Sequence, residues 1–174
     1  MIDLTKELRQ LHHASFQWAL HCTGGSRHDA EDALQSAYEA LLDGSASFEE
    51  RSSLKSFLFA VIRNKARSAS RKRSLLALVG LDDNSTPSVQ PLVHRKMDDA
   101  ERVAAIRAAI QQLSPRQRDI LELVFYHELT VEEAADVLDL QLGTARTHYA
   151  RAKKALRRQL TKEDFQWKTN TIET

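Results

Sequence analysis

LSPRQRDILELVFYHELTVEEAADVLDLQLGTARTHYARAKKALRRQL, residues Leu113 to Leu160, carries three helix starts in close succession. Ser114-Pro115 with Gln117 pairs an N-cap and a first-turn proline with a reciprocal capping side chain. Ile120, Leu121, Val124 and Phe125 then form a helical stripe. A second capping box, Thr130 with Glu133, opens a short helix bearing Val131, Ala134, Ala135 and Leu138. Its two alanines allow another helix to approach closely. Leu140 to Leu142 make a tight connection, and Gly143-Thr144 start a last helix of about four to five turns. Short helix, tight turn and longer helix is the helix-turn-helix layout, whose second helix lies in the DNA major groove.

Charge on the last helix agrees with that layout. Arg146, Arg151, Lys153, Lys154, Arg157 and Arg158 are basic, and no acid falls between Gly143 and Leu160. A few cations near a helix C-terminus suit its dipole. Six without an acid exceed that need, and a phosphate backbone is the usual polyanion for such a face. The competing reading is a solvated helix surface.

Outward from this stretch, the composition bounds the rest. The chain has 174 residues, enough for one or two domains with a small helical core in each. Five glycines and three prolines, with no sustained alternating pattern, predict an all-α fold. The single Cys22 excludes an internal disulfide framework and fits a reducing cytoplasm. No signal peptide is read, and the apolar run Leu75 to Leu81 is too short to span a bilayer. Net charge is only +1, so the distribution of charge is more informative than its sum.

The N-terminal half divides into three helices. Asp3 to Cys22 sets Leu4, Leu8, Leu11, Trp18 and Cys22 on one face, and Thr23-Gly24-Gly25-Ser26 ends it. Asp29 to Leu42 buries Ala33, Leu34, Ala37, Tyr38 and Leu41. Its outer side is acidic: between His28 and Glu50 there is no Lys or Arg. Such a face is either solvated or a docking surface for a basic partner. After a serine-rich loop, a third helix runs from Leu54 to about Arg73. Leu54, Phe57, Leu58, Val61 and Ile62 make its first half apolar, and Arg63, Lys65, Arg67, Arg71, Lys72 and Arg73 make its second half basic. That reads as an anchored arm offered to phosphates. Phe57 and Phe59 fit stacking on an unpaired base or packing in the core, and composition favours the core.

Pattern fails from Ser74 to Lys96, where Asp82-Asp83-Asn84-Ser85-Thr86-Pro87-Ser88 and Pro91 mark a linker. Leu75 to Leu81 is expected to pack on one of the linker's neighbours. A helix with Val103, Ile106, Ala109 and Ile110 inward resumes at Asp98. The expected organisation is two small helical domains, 1–73 and 98–162, joined by a flexible linker, 74–97, and followed by a tail, 163–174. The tail's Trp167 has no assigned role. Two basic helices on linked domains suit a protein that holds two stretches of one DNA, since linkage raises the effective concentration of the second contact.

These motifs resemble a bacterial RNA polymerase sigma factor of the extracytoplasmic-function class. LSPRQRDILEL, LTVEEAADVLDL and LGTARTHYARAKKALRRQL are similar to the family's domain that reads the upstream, minus-thirty-five promoter element. DAEDALQSAY, Asp29 to Tyr38, resembles the helix that clamps the coiled coil of the polymerase β′ subunit. FLFAVIRNKARSASRKR, Phe57 to Arg73, resembles the helix that opens and holds the downstream, minus-ten element. The resemblance implies that Asp29, Glu31, Asp32, Leu34 and Gln35 face the polymerase. It implies that Arg63, Asn64, Arg67, Arg71 and Lys72 hold the downstream element, with the asparagine near a captured unpaired base. For the upstream element it implies Arg116, Arg118, Thr144, Arg146, Thr147, His148, Arg151 and Lys153. Arginine binds guanine bidentately, and Thr or His reaches a base edge or a phosphate. The chain departs from the family pattern at Ser36, Phe57, Ser68, Asp139 and His148.

The resemblance further implies core RNA polymerase (β′ and β), promoter DNA and an anti-sigma factor as partners, a cytoplasmic location, no membrane insertion and no chemistry by the chain itself. The first rival is a helix-turn-helix regulator like those ending many response regulators, acting without being a polymerase subunit. Its opening motif is shared, but no alternating strand-helix receiver precedes it. The second rival is a metal or catalytic protein built on His12, His13, His21, Cys22 and His28. His13 and His21 lie about two turns apart, a poor spacing for ligands of one ion. No nucleophile-and-base motif or glycine-rich phosphate loop is present, so no catalytic residue, metal or cofactor is expected.

Overall fold

The computed structural model describes residues 4–49, 52–78 and 100–160, with side chains of the last block from 104 onward. Every regular element among them is helical, in agreement with the all-α expectation. Helices α1 (Leu4–Cys22), α2 (Arg27–Leu42) and α3 (Leu54–Leu78) pack each on the other two. The turn between α1 and α2 needs backbone at positive φ, and Gly24 and Gly25 supply it at 64° and 87°. Ser26 then caps α2 by accepting from the Asp29 N–H. Trp18, Ala19, Leu34, Ala37, Leu58, Phe59 and Ile62 form the core of this unit. The Trp18 indole N–H, fully buried, donates to the Phe59 carbonyl at 3.0 Å, so α1 and α3 are joined by a hydrogen bond as well as by packing.

Two boundaries differ from the sequence reading. Helix α2 starts two residues earlier, at Arg27, because Ser26 rather than His28 provides the cap. Helix α3 runs five residues beyond Arg73, taking in Ser74 to Leu78, where no glycine or proline stops it. Leu75 and Leu78 on this extension are 64% and 83% exposed, so this part of the apolar run does not pack on a neighbour as expected. The rest of the run, the remaining linker, the tail and Trp167 lie outside the described residues.

The C-terminal unit comprises α4 (Ala100–Gln111), α5 (Pro115–Leu121), a π-helical turn (Glu122–Tyr126), α6 (Val131–Leu138) and α7 (Leu142–Gln159). Both expected capping boxes are formed: Ser114 with Gln117 at α5, and Thr130 with Glu133 at α6. Ala109, Leu113, Leu121, Ala152, Leu156 and Leu160 tie α4 and α5 to α7. The π turn inserts a residue into the expected stripe and rotates the later side chains about the helix axis. Leu123 joins Ile120 and Leu121 inside, while Phe125, expected to continue the stripe, is 39% exposed. Helix α6 ends at Asp139, whose φ of 53° and ψ of 55° put an aspartate in the left-handed cap where glycine is most at ease.

The two units are docked. Helix α6 packs against α3 as well as α7, and Ala134 and Ala135 are buried there, as small residues at a close helix approach should be. One buried cluster runs from Leu8, Trp18 and Phe59 through to Ile120, Leu123, Val137 and Leu138.

Candidate nucleic-acid interfaces

The surface of α7 is dictated by its sequence. Ala145, Ala152 and Leu156 turn inward, leaving Thr144, Arg146, Thr147, Arg151, Lys154, Arg157 and Arg158 exposed on the outer side. Thr147 donates its hydroxyl to the Gly143 carbonyl at 2.8 Å, which holds the side chain along the helix. His148 is half-buried. Lys153 sits over the Tyr149 ring with its ammonium 4.6 Å from the centroid, a cation–π contact that holds this cation near the helix surface. Arg116 and Arg118, in the first turns of α5, are both half-buried.

The basic half of α3 is split by burial. Asn64, Arg67, Arg71 and Lys72 are exposed. Arg63 is only 5% exposed, with Arg116 and Asp119 of the C-terminal unit and Cys22 of α1 among the charges and polar groups that act on it. Burial, reinforced by repulsion from Arg116, lowers the Arg63 pKa below the ordinary arginine value, while Asp119 opposes the shift. Phe59 is fully buried and stacks on Trp18 at 5.9 Å between centroids, which resolves its two readings in favour of the core. Phe57 is half-buried against Phe48.

On α2 the acidic face is exposed at Glu31, Asp32 and Gln35. Glu31 accepts from Arg27 at 2.8 Å, His28 lies 3.6 Å from Asp32, and Gln35 donates to Glu39. Asp29 is engaged from α3 by Arg73, a charge-assisted hydrogen bond that holds its carboxyl below the usual aspartate range. Leu34 is 4% exposed and packs in the core, so the outer face consists of its neighbours and not of Leu34 itself.

Several polar residues meet at the junction of the units, and of these only His21 figured in the sequence reading, among the histidines of the metal rival. The His127 ring is 2% exposed, edge-on to Phe59 at 4.7 Å and to Trp18 at 5.9 Å. Its Nε2 makes no hydrogen bond, with Glu122 3.9 Å away. Burial, then the nearby Lys55 and His21, push its pKa down to about 3, so the ring is neutral at physiological pH. Lys55 donates to the His127 carbonyl. His21, stacked on Trp18, places Nε2 2.9 Å from the Asp119 carboxylate. Nothing in the one-dimensional pattern pairs these residues, which lie 72 and 98 positions apart.

Two family models match this architecture: sigma-70 region 2 over residues 6–75 and sigma-70 region 4 over residues 104–156. The ECF RNA polymerase sigma factor SigX of Bacillus subtilis is 30% identical over 139 residues, covering 77% of this chain and 72% of that one. The chain belongs to the ECF RNA polymerase sigma factors. The sigma factor SigV of the same organism is 26% identical over 137 residues, covering 79% of each chain. Among solved structures, the sigma factor RpoE in complex with the anti-sigma factor NepR from Bartonella quintana aligns with a TM-score of 0.68 at 26% identity. That alignment covers 90% of this sigma factor and 96% of RpoE. Region 2 thus corresponds to α1–α3 and region 4 to α4–α7. Among the described residues of this sigma factor, no helix is long and apolar enough to cross a membrane, and no group of three or more His, Cys, Asp or Glu is arranged to hold a metal.

Proposed function

We propose that this ECF factor binds core RNA polymerase, directs it to two-part promoters and assists strand opening, performing no chemistry itself. The observation that carries this reading is the presence of two exposed basic helix faces, on α7 and on the second half of α3, within region 4 and region 2 respectively. In this reading Arg146, Thr147 and His148, with Thr144, Arg151, Lys153, Arg116 and Arg118, contact the upstream element. Base edges are read by the residues nearest the start of α7, and phosphates by the cations after them. Asn64 contacts an unpaired base of the downstream element, while Arg67, Arg71 and Lys72 neutralise its backbone. The acidic face of α2, chiefly Glu31, Asp32 and Gln35 with Asp29, contacts the β′ subunit.

The proposed domains are 1–73 for melting and polymerase binding and 98–162 for promoter recognition, and the proposed compartment is the cytoplasm. An anti-sigma partner is part of the proposal, supported by the solved complex of the similar RpoE with NepR. The response-regulator alternative finds no support in the N-terminal half, which matches sigma-70 region 2 and is helical throughout its described elements.

The test is run-off transcription with core polymerase on the promoter upstream of the protein's own operon, with a parallel core-binding assay. Asp32→Ala combined with Glu31→Ala should lose transcription through weaker core binding. Arg146→Ala should lose it through weaker promoter binding with core binding intact. A protein that binds duplex DNA but never binds core polymerase would return the assignment to a regulator.

A further inference from the structure

Among the described residues Arg63 is the one lysine or arginine that is buried, and it lies on α3 beside the equally buried Ile62 and Ala66. A guanidinium taken out of water is stable when hydrogen bonds and an opposite charge replace the water it loses. Neither is complete here. Among the described residues the groups that act on Arg63 do so through charge alone, none by a hydrogen bond. Two of them, Arg116 and Arg67, carry its own sign. Asp119 attracts it, but that carboxylate is already engaged, with Oδ1 2.9 Å from His21 Nε2.

A second guanidinium is brought to the same place. Asp119 faces α1 through its contact with His21, and Arg116 precedes it by one turn on α5, so both project from one helix face toward region 2. The Arg116 Nη1 is buried and has no hydrogen-bond partner. Arg67 follows Arg63 by one turn on α3 and is exposed, which marks the open side of the cluster. Three guanidiniums thus surround one carboxylate, and the innermost donors are unpaired.

We propose that Arg63 and Arg116 form a site for a small phosphate-class oxyanion, held between the two helical units with Arg67 at its entrance. Each guanidinium presents a planar fork of N–H donors that matches the oxygens of such an anion. Two forks around one tetrahedral ion engage donors that the protein leaves without partners. A divalent ion also offsets both like charges, which chloride does not. The enclosure of Arg63 favours a free ion over an internal phosphodiester of a nucleic acid strand, whose flanking sugars need open surface. The site goes beyond promoter binding and does not depend on it.

The probe is inorganic phosphate, added to the full-length protein at neutral pH against sodium chloride of matched ionic strength. Thermal unfolding followed by circular dichroism should show the midpoint a few degrees higher at about 20 mM phosphate, as for a ligand of about millimolar affinity. Arg116→Gln removes the unpartnered donor and Arg63→Met removes the enclosed charge, and each should abolish the phosphate-specific rise. Without phosphate, Arg63→Met should unfold at or above the wild-type temperature, because it deletes an unneutralised buried charge while filling most of the space of the arginine stem. That result separates loss of the site from damage to the fold. Arg9→Gln, which removes an exposed cation near the start of α1, should keep the full response.

A rise no larger than with chloride, or one that persists in both Arg63→Met and Arg116→Gln, would overturn the proposal. So would an Arg63-dependent rise produced by a short oligothymidine strand and not by phosphate, which would assign the pair to the nucleic-acid surface. No step of the test contains polymerase, so failure of the wild type to bind core would count against the promoter-directing reading alone.

Discussion

Between neutral pH and pH 5, acidification should destabilise this protein chiefly through His127. An unfolded histidine takes up its proton near pH 6.5, whereas the buried ring in the folded chain resists protonation until about pH 3. Burial is the main cause, and the nearby Lys55 and His21 add to it. Because the unfolded chain binds the extra proton throughout this window, the contribution is fully present above pH 6.5 and is lost progressively as pH falls toward 3. At pH 5 the loss is about 2 kcal/mol. Glu122 works in the opposite sense: burial raises its carboxyl pKa, so its neutral form favours the folded state as pH falls. Asp29, lowered chiefly by Arg73, loses its contribution only as pH drops through the carboxylate range. His127→Gln removes the histidine titration and leaves these carboxylates in place. Urea unfolding monitored by circular dichroism at pH 7 and pH 5 should show wild type losing about 2 kcal/mol more than His127→Gln. Equal losses would refute the reasoning and mean that the His127 ring is solvated in the native protein.

Local geometry sets three further outcomes. Asp139→Gly relieves a non-glycine residue of its left-handed conformation and should raise stability by roughly 0.5–1 kcal/mol, read as a thermal midpoint a few degrees higher. Thr130→Ala deletes the hydroxyl that accepts from the Glu133 N–H at 3.1 Å and should cost about 1 kcal/mol in the same assay. Arg146→Ala, on the exposed side of α7, should weaken binding to upstream-element duplex and reduce the slope of log K against log salt by about 0.9 if it contacts one phosphate. An unchanged slope with altered base preference would assign Arg146 to a base edge instead.

Much of the fold was legible locally. Ser114 with Gln117 and Thr130 with Glu133 marked helix starts because a capping box is satisfied within four residues and needs no distant partner. The inward rows of α1 and α2 came from helical periodicity. The π turn was not legible: ELVFY carries no signal distinguishing it from ordinary helix, and the phase shift it introduces moved Phe125 from the expected core to the surface. Among the candidate site residues, exposure of Asn64, Arg67, Arg71 and Lys72 agreed with their charge or polarity. Leu34 and Arg63 did not remain on the surface, for different reasons. Leu34 belongs to the buried row of α2, whereas Arg63 is buried where Arg116 and Asp119, remote in sequence, act on it.

By itself the sequence determined the helical class, the helix-turn-helix, the acidic face of α2 and the two basic faces, all of which depend on neighbours within one or two turns. Only the tertiary structure decided that region 4 rests on region 2, that His127 sits between Trp18 and Phe59, and that His21 meets Asp119. Those contacts join residues tens of positions apart, and their stability comes from burial and complementary shape, which periodicity does not encode. The charge pattern therefore shows which residues are suited to a polyanion, while the packing decides which of them stay exposed.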